Sequence, residues 1–197
     1  MEKTYDGQTA AFLAAVATCM PRNMSSEVMQ GWITDLTGLK KILAEAFCPP
    51  SQNYITHTFT ILVDETKTVE ELVVEGNYDW SNSNVTSKNF PRSEEGTKDK
   101  KEVALFHFNK TMTSEDVIAE MKKDGYRPAT IFELLALGVT QPELQRGFPI
   151  IALGSDCTLD GGRHVADLYG VAGGRGLGLG WLGGDWSVGC RFVGLRR

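Results

Sequence analysis

Arg175-Gly176-Leu177-Gly178-Leu179-Gly180-Trp181 sets large apolar residues and glycines in alternation. A period of two is the spacing of a strand with one buried face. The pattern turns Leu177, Leu179 and Trp181 inward and leaves Gly176, Gly178 and Gly180 outward, toward solvent. The solvent face of a strand ordinarily carries Thr, Lys, Glu or Tyr, and glycine there weakens the strand. Something other than stability has selected the outward residues.

The anomaly extends over the whole tail. Ser155 to Arg197 hold twelve of the 21 glycines and contain no Lys, Glu, Gln, Asn, Met, Ile or Pro. Leu153, Leu168, Leu177, Leu179, Trp181, Trp186, Phe192 and Leu195 read as core, and Arg163, Arg175 and Arg191 as strand-edge anchors. The residues between them are Gly, Asp, Ala, Val, Ser, Cys and Tyr. That set has no catalytic logic. It does match one draw from a restricted codon pool. Randomising the first two bases of AAC or AAT reaches all seven types and excludes Lys, Glu, Gln, Met and Trp.

Bulk properties narrow the class. A chain of 197 residues suits one domain, or one with an appendage. With 42% hydrophobic and 23% charged residues it can bury a sizeable core. A net charge of −5 argues against a nucleic-acid binder, which would show a basic patch. No apolar run reaches the about 18 residues of a membrane span. Met1-Glu2-Lys3-Thr4-Tyr5-Asp6 lacks the basic start of a signal peptide, so a cytoplasmic location is expected, with export by another route left open. Cys19, Cys48, Cys157 and Cys190 match no zinc spacing, and His57, His107 and His164 are equally scattered. They read as free thiols and as solvated or core histidines.

The order of elements is α+β. Residues 7–20 and Ser25–Phe47 read as helices. The second is capped by Ser25 or Ser26, carries a stripe of Met29, Trp32, Ile33, Leu36, Leu39, Ile42, Leu43 and Phe47, and ends at Pro49-Pro50. Such a preface must bury its stripe against the rest or against a second copy. Tyr54–Val63 alternates as a strand, and Val69–Val73 reads as a short helix. Asn77–Asn89 is polar and turn-rich, and Arg92–Glu102 reads as a charged surface loop. Val103–Phe108 is a strand, followed by a helix from Thr113 or Ser114 that Gly125 stops. Thr130-Ile131-Phe132-Glu133 is a capping box opening another helix to Gly138. Four strands close the chain: Phe148–Leu153, Arg163–Tyr169, Arg175–Leu182 and Cys190–Leu195.

Catalytic motifs are weak. Gly178-Leu179-Gly180-Trp181-Leu182-Gly183 matches the dinucleotide fingerprint formally, but no helix follows and too few residues remain for the required unit. The paired carboxylates Glu70-Glu71, Glu94-Glu95 and Glu115-Asp116 read as solvated helix starts and loops. No phosphate-binding loop or nucleophile elbow is present.

Leu177-Gly178-Leu179-Gly180-Trp181-Leu182-Gly183-Gly184-Asp185-Trp186, closing on Gly189-Cys190-Arg191-Phe192-Val193, resembles the C-terminus of diversity-generating retroelement variable proteins. Gly125-Tyr126-Arg127-Pro128-Ala129-Thr130-Ile131-Phe132-Glu133-Leu134-Leu135 resembles the second-helix region of their C-type lectin fold, in the branch related to formylglycine-generating enzymes. Asn77-Tyr78-Asp79-Trp80-Ser81-Asn82 and Asn89-Phe90-Pro91 are similar to segments of the same proteins. The resemblance covers about residues 54–197. It implies an α+β, C-type lectin-like domain over 54–197, while residues 1–50 lie outside it and read from their own pattern as an N-terminal helical extension. The domain's first and last strands should pair, and its variable region should span about 155–192.

The resemblance puts the constant role on Trp181, Trp186, Arg191 and Phe192. The variable, ligand-binding role falls on Asp156, Cys157, His164, Ala166, Asp167, Tyr169, Gly170, Val171, Gly176, Gly178, Gly180, Gly183, Gly184, Asp185, Ser187, Val188, Gly189 and Cys190. The implied partner is a protein or other macromolecule bound by an open, low-relief face. No cofactor or metal is expected. Gln141-Pro142-Glu143 lies too early for a calcium motif, and Trp186-Ser187-Val188 lacks acidic ligands. Two readings compete: a fixed α+β interaction domain whose glycines are structural, and an enzyme related to formylglycine-generating enzymes. The second needs a cysteine pair that only Cys157 and Cys190 could form.

Overall fold

A computed structural model describes residues 7–19, 23–39, 54–92 and 96–197. The chain divides into two units, Met1–Gln52 and Asn53–Arg197. In the first, helices α1 (Gly7–Cys19) and α2 (Ser26–Thr34) form, and the Ser25 hydroxyl caps α2 by accepting from the Val28 N–H at 3.3 Å. The expected long helix is interrupted at Asp35, whose carboxylate accepts from the Gly38 N–H at 2.9 Å and starts a new turn over 36–39. Met29, Ile33 and Leu36 are exposed on this unit. The stripe's later members, Ile42, Leu43 and Phe47, lie outside the described residues.

The second unit is a mixed α/β body of the α+β class, built on one eight-stranded sheet. In chain order it comprises β1 (Ile55–Asp64), α3 (Val69–Gly76), β2 (Trp80–Ser81), β3 (Lys98–Phe106), β4 (Met112–Thr113), α4 (Ser114–Lys123), β5 (Tyr126–Pro128), α5 (Ile131–Thr140), β6 (Ile150–Leu159), β7 (Gly162–Val171), β8 (Gly174–Trp181), β9 (Asp185–Trp186) and β10 (Arg191–Arg196). The sheet runs β1-β3-β10-β6-β7-β8-β2, with β5 also on β10, while β4 and β9 form a separate pair. The first and last strands share this sheet but do not pair directly. β3 lies between them, antiparallel to both. Among the described helices none is long and apolar enough to cross a membrane.

The charged stretch read as a loop is partly strand. Lys98 to Glu102 pair with Thr60 to Asp64 of β1, beyond the end of β10, which meets β3 only at Val103–Phe106. On β1, Ile61 and Val63 turn into the core, while on β3 Lys101, opposite Ile61, pairs with buried Glu133 and the remaining charged residues face solvent. Lys98 pairs with Asp64 at 2.7 Å, and this bond, ahead of one from Thr66, lowers the Asp64 carboxyl to about 2.

Both faces of the sheet are covered over its middle. On one, Val103, Leu105, Ile150, Ala152, Ala166, Leu168, Leu177, Val193 and Leu195 pack beneath α3 and α5. On the other, Ala104, Phe106, Ile151, Leu153, Val165 and Phe192 meet Val117 and Met121 of α4. This second layer explains why β3, β6 and β10 read as continuous apolar runs rather than alternating ones.

Arg175, read as an edge anchor, is instead buried and points beneath the helices. Its guanidinium donates to the carbonyls of Gly76 and Gly138, both at 2.7 Å, and its backbone N–H donates to Asp79 at 2.7 Å. Gly76 ends α3 and Gly138 lies in the last turn of α5, so one cation meets the negative ends of two helices. The guanidinium also stacks 4.9 Å over the Tyr78 ring. Tyr78 fits because both helix ends lack side chains. A methyl at Gly76 would stand 2.2 Å from its ring, and one at Gly138 would stand 2.2 Å from its hydroxyl.

The capping-box glutamate of α5 is buried as well. Glu133 accepts from the Thr130 N–H at 2.8 Å and from Arg127 Nη1 at 2.9 Å. Burial alone would raise its carboxyl, but the bonds from Arg127 and Thr130 and the nearby Lys101 outweigh it and hold the carboxyl below 4.5.

Two predictions test these locks. Exchanging a helical glycine for alanine ordinarily gains about 1 kcal/mol. Gly138→Ala is expected to lose about 1–2 kcal/mol instead, through overpacking against the Tyr78 hydroxyl. Tyr78→Phe in the same chain removes the clashing atom and should recover most of that loss in urea midpoints. Glu133→Gln should cost about 3 kcal/mol at neutral pH, near the low end for breaking a buried pair because Arg127 is partly exposed. With the folded carboxyl held below its ordinary value, its contribution is complete above about pH 4.5 and drains away as pH falls further. The Gln variant should lose that component of acid unfolding.

Candidate binding surface

The β6-β7-β8 ribbon is shaped by two-residue turns. Asp160-Gly161 joins Leu159 to Gly162, and Ala172-Gly173 joins Val171 to Gly174, all four turn residues at positive φ. That is the turn whose twist matches a hairpin. Cross-strand partners share a face. Tyr169 opposes Gly176, Asp167 opposes Gly178 and Val165 opposes Gly180. This face is the one that α4 and Trp186 cover near β10, and it is open toward β8 and β2.

The glycines are on the expected side of β8, but they are not bare. Gly176 and Gly178 are buried and Gly180 is half-buried. A methyl at Gly176 would meet the Tyr169 ring at 2.6 Å. One at Gly178 would meet Asp167 Oδ1 at 2.8 Å and Tyr169 at 2.9 Å, and one at Gly180 would meet the Trp186 ring at 2.7 Å. The side chains of β7 and β9 therefore lie flat across a glycine floor. Trp186 is fixed there by its Nε1–H donating to Ser114 Oγ at 2.8 Å, which in turn donates to the Leu182 carbonyl at 2.7 Å.

The inward side needs one correction. Leu177 and Phe192 are buried and Leu179 is partly so, but Trp181 is 62% exposed. It stands on the helix side of the sheet, opposite His164, where β8 has run past the core beneath α3 and α5. It cannot serve as a buried constant residue.

The eighteen presumed variable residues do not form one surface. Asp156, Asp167, Tyr169, Val171, Gly176, Gly178 and Gly180 lie on the open face. Cys157, His164, Ala166 and Gly170 are on the opposite side. Cys157 and Ala166 are in the core beneath the helices, His164 bonds the Gly162 carbonyl at 3.2 Å, and Gly170 abuts the Arg146 backbone. Gly183, Gly184, Asp185, Ser187, Val188, Gly189 and Cys190 belong to the connection around β9, mostly exposed, except that Cys190 is buried in the other core cluster. Cys157, Ala166 and Cys190 are thus packing residues, because strand alternation sends them into one core layer or the other. Cys157 and Cys190 sit in different layers and are free.

Three contributors were not foreseen. Trp80, Asn82 and Pro149 line a depression of 410 Å³ together with Asp167, Tyr169 and the backbone of Gly178–Gly180. Trp80 reaches this place because β2 pairs parallel with β8, Trp80 beside Gly176. Its ring meets Tyr169 edge-on at 6.3 Å and is 49% exposed. The signal for it was a large aromatic in an otherwise polar, turn-rich stretch. A second depression of 470 Å³ adjoins at Tyr169 and Pro149, between residues 145–149 and the β7–β8 turn. Gln145 is held there, its amide donating to the carbonyls of Tyr169 at 2.9 Å and Gly176 at 2.8 Å.

Charge on this face is uneven. Asp156 is bound bidentately by Arg163 at 2.8 Å, which lowers its carboxyl. Asp167 has no such partner among the described residues, and burial raises its carboxyl to about 6. Burial, with the Asp167 charge second, also raises the Tyr169 hydroxyl. Burial raises the Cys157 thiol, the charge of Asp156 adding to it. Among the described residues no cluster of His, Cys, Asp and Glu could hold a metal ion. Comparison with protein-family models, curated proteins and solved structures returns no match.

The roofed glycines make a measurable prediction. Gly178→Ser is expected to cost about 1 kcal/mol, since Asp167 and Tyr169 must swing outward. Tyr169→Ala in the same chain should cancel most of it. A double-mutant cycle with no coupling would show that the roof moves freely.

Proposed function

We propose that this chain is a target-recognition protein of the retroelement-diversified kind, binding a macromolecule through the open face of β7 and β8 on a C-type lectin-like domain. The observation that carries the reading is the separation of roles along β8. Arg175 and Leu177 anchor the strand beneath the helices, while the residues opposite them contribute only glycine to the other face. Residues there point away from the core beneath α3 and α5, and a side chain at Gly176, Gly178 or Gly180 displaces the Tyr169, Asp167 or Trp186 side chain lying over it. A shallow face flanked by exposed Trp80 and partly exposed Tyr169 suits a protein surface better than an enclosed small molecule.

The burial of Cys157, Ala166 and Cys190 favours a second reading, a fixed interaction domain. Diversification separates the two. A displayed library varied at Asp156, Asp167, Tyr169, Val171, Gly176, Gly178, Gly180, Gly183, Gly184, Asp185, Ser187, Val188 and Gly189, with Cys157, Ala166, Trp186 and Cys190 held constant, should yield folded binders to a foreign protein. Recovery of misfolded clones alone would overturn the variable reading. So would a gene with no adenine-rich repeat and no adjacent reverse transcriptase.

A further inference from the structure

We propose that the depression between Trp80 and Tyr169 receives a cationic side chain, the ammonium of a lysine or the guanidinium of an arginine presented by a protein partner, with Asp167 as its counter-ion. The proposal rests on the recognition reading above and specifies the chemistry of the target.

Three features converge. Asp167 projects from β7 into the depression, and no donor reaches its carboxylate among the described residues. A carboxylate withdrawn from water without a partner is costly, and a bound cation removes that cost. Two aromatic rings border the same space, Trp80 and Tyr169, with centroids 6.3 Å apart and tilted by 61°. Faces of this kind attract a cation within about 6 Å. The remaining lining is Asn82, Pro149 and the backbone of residues 178–180, which leaves a volume of 410 Å³ bordered by Asp167 and the two rings.

The protein's own cations nearby are engaged elsewhere. Arg146, in the adjoining depression, pairs with Glu143 at 2.9 Å, and Arg191 lies 4.6 Å over the Phe148 ring. Other occupants fit less well. An anion would meet the Asp167 charge, and an apolar group would bury that charge unpaired. A metal ion would find a single carboxylate. The net charge of −5 also draws basic partners toward the molecule.

The test is a titration of the full chain with four probes, the N-acetyl amides of lysine, arginine, norleucine and glutamate. It is read by NMR at the Trp80 indole N–H and the Gly178 and Gly180 amides. The lysine and arginine probes should shift these signals saturably, and the norleucine and glutamate probes should not. Asp167→Asn should weaken the cationic probes by about tenfold or more without moving signals of the core beneath α3 and α5. Should that variant not fold, Trp80→Leu, altering a half-exposed ring, provides the same comparison and should also weaken them. Equal shifts from norleucine, undiminished binding to Asp167→Asn, or no shift with either cation would overturn the proposal. Binding of norleucine or glutamate at the same amides would leave the recognition face standing with a different chemistry. That reading falls only by failure of the diversified library.

Discussion

Arg175 donates from one buried guanidinium to the carbonyl ends of α3 and α5, and the outer half of the sheet depends on that junction. Backbone carbonyls at a helix terminus need donors, and burial removes water as the alternative. The planar guanidinium gives each carbonyl its own nitrogen, Nη1 to Gly76 and Nη2 to Gly138, where a lysine would have to serve both from one atom. Tyr78 completes the junction by sliding between the two helix-end glycines. The strand that carries the candidate binding face is therefore held from behind, through its side chains, rather than from the face itself. That arrangement allows the front of β8 to be nearly featureless without loosening the strand.

Much of this body was legible in the sequence, for local reasons. Thr130 and Glu133 announce the start of α5 because a capping box is a contact within four residues. The alternation of Leu177 and Leu179 with glycine locates β8 and its two faces. Burial along the strand was less legible. Trp181 keeps the parity of Leu177, yet the core has ended where it stands, and periodicity carries no information about where a neighbouring layer stops. Lys98–Glu102 failed for the converse reason. Its pairing with β1 is set by partners some forty residues away, and along this stretch only β1 supplies the apolar residues, Ile61 and Val63, that enter the core.

The candidate site was half legible. Composition marked the tail, but a restricted alphabet does not distinguish a residue on the open face from one in a core layer. Cys157 and Ala166 share their chemistry with the exposed set and differ only in which way the strand turns them. Trp80 and Asn82 arrive through a parallel pairing between segments far apart in the chain, which no local pattern encodes. The face is thus a composite: the tail supplies the floor and the carboxylate, and an earlier turn supplies the exposed ring.

That composite has a kinetic side. The contacts that seal β8, from Gly76 and Asp79 to Arg175, join residues separated by 99 and 96 positions. Closing so long a loop is entropically expensive and slow compared with hairpin formation. The β7–β8 hairpin, with its two-residue turn, can form early, while the strap that carries Trp80 docks late. The middle of the sheet waits as well, because β10, the last strand in sequence, lies between β3 and β6. A glycine-rich strand specifies its register weakly, so until β2 docks the outer edge of β8 is open to slippage and to pairing with another chain. The glycine spacing that leaves the front of β8 nearly featureless thus leaves the strand dependent on the Arg175 junction for its register.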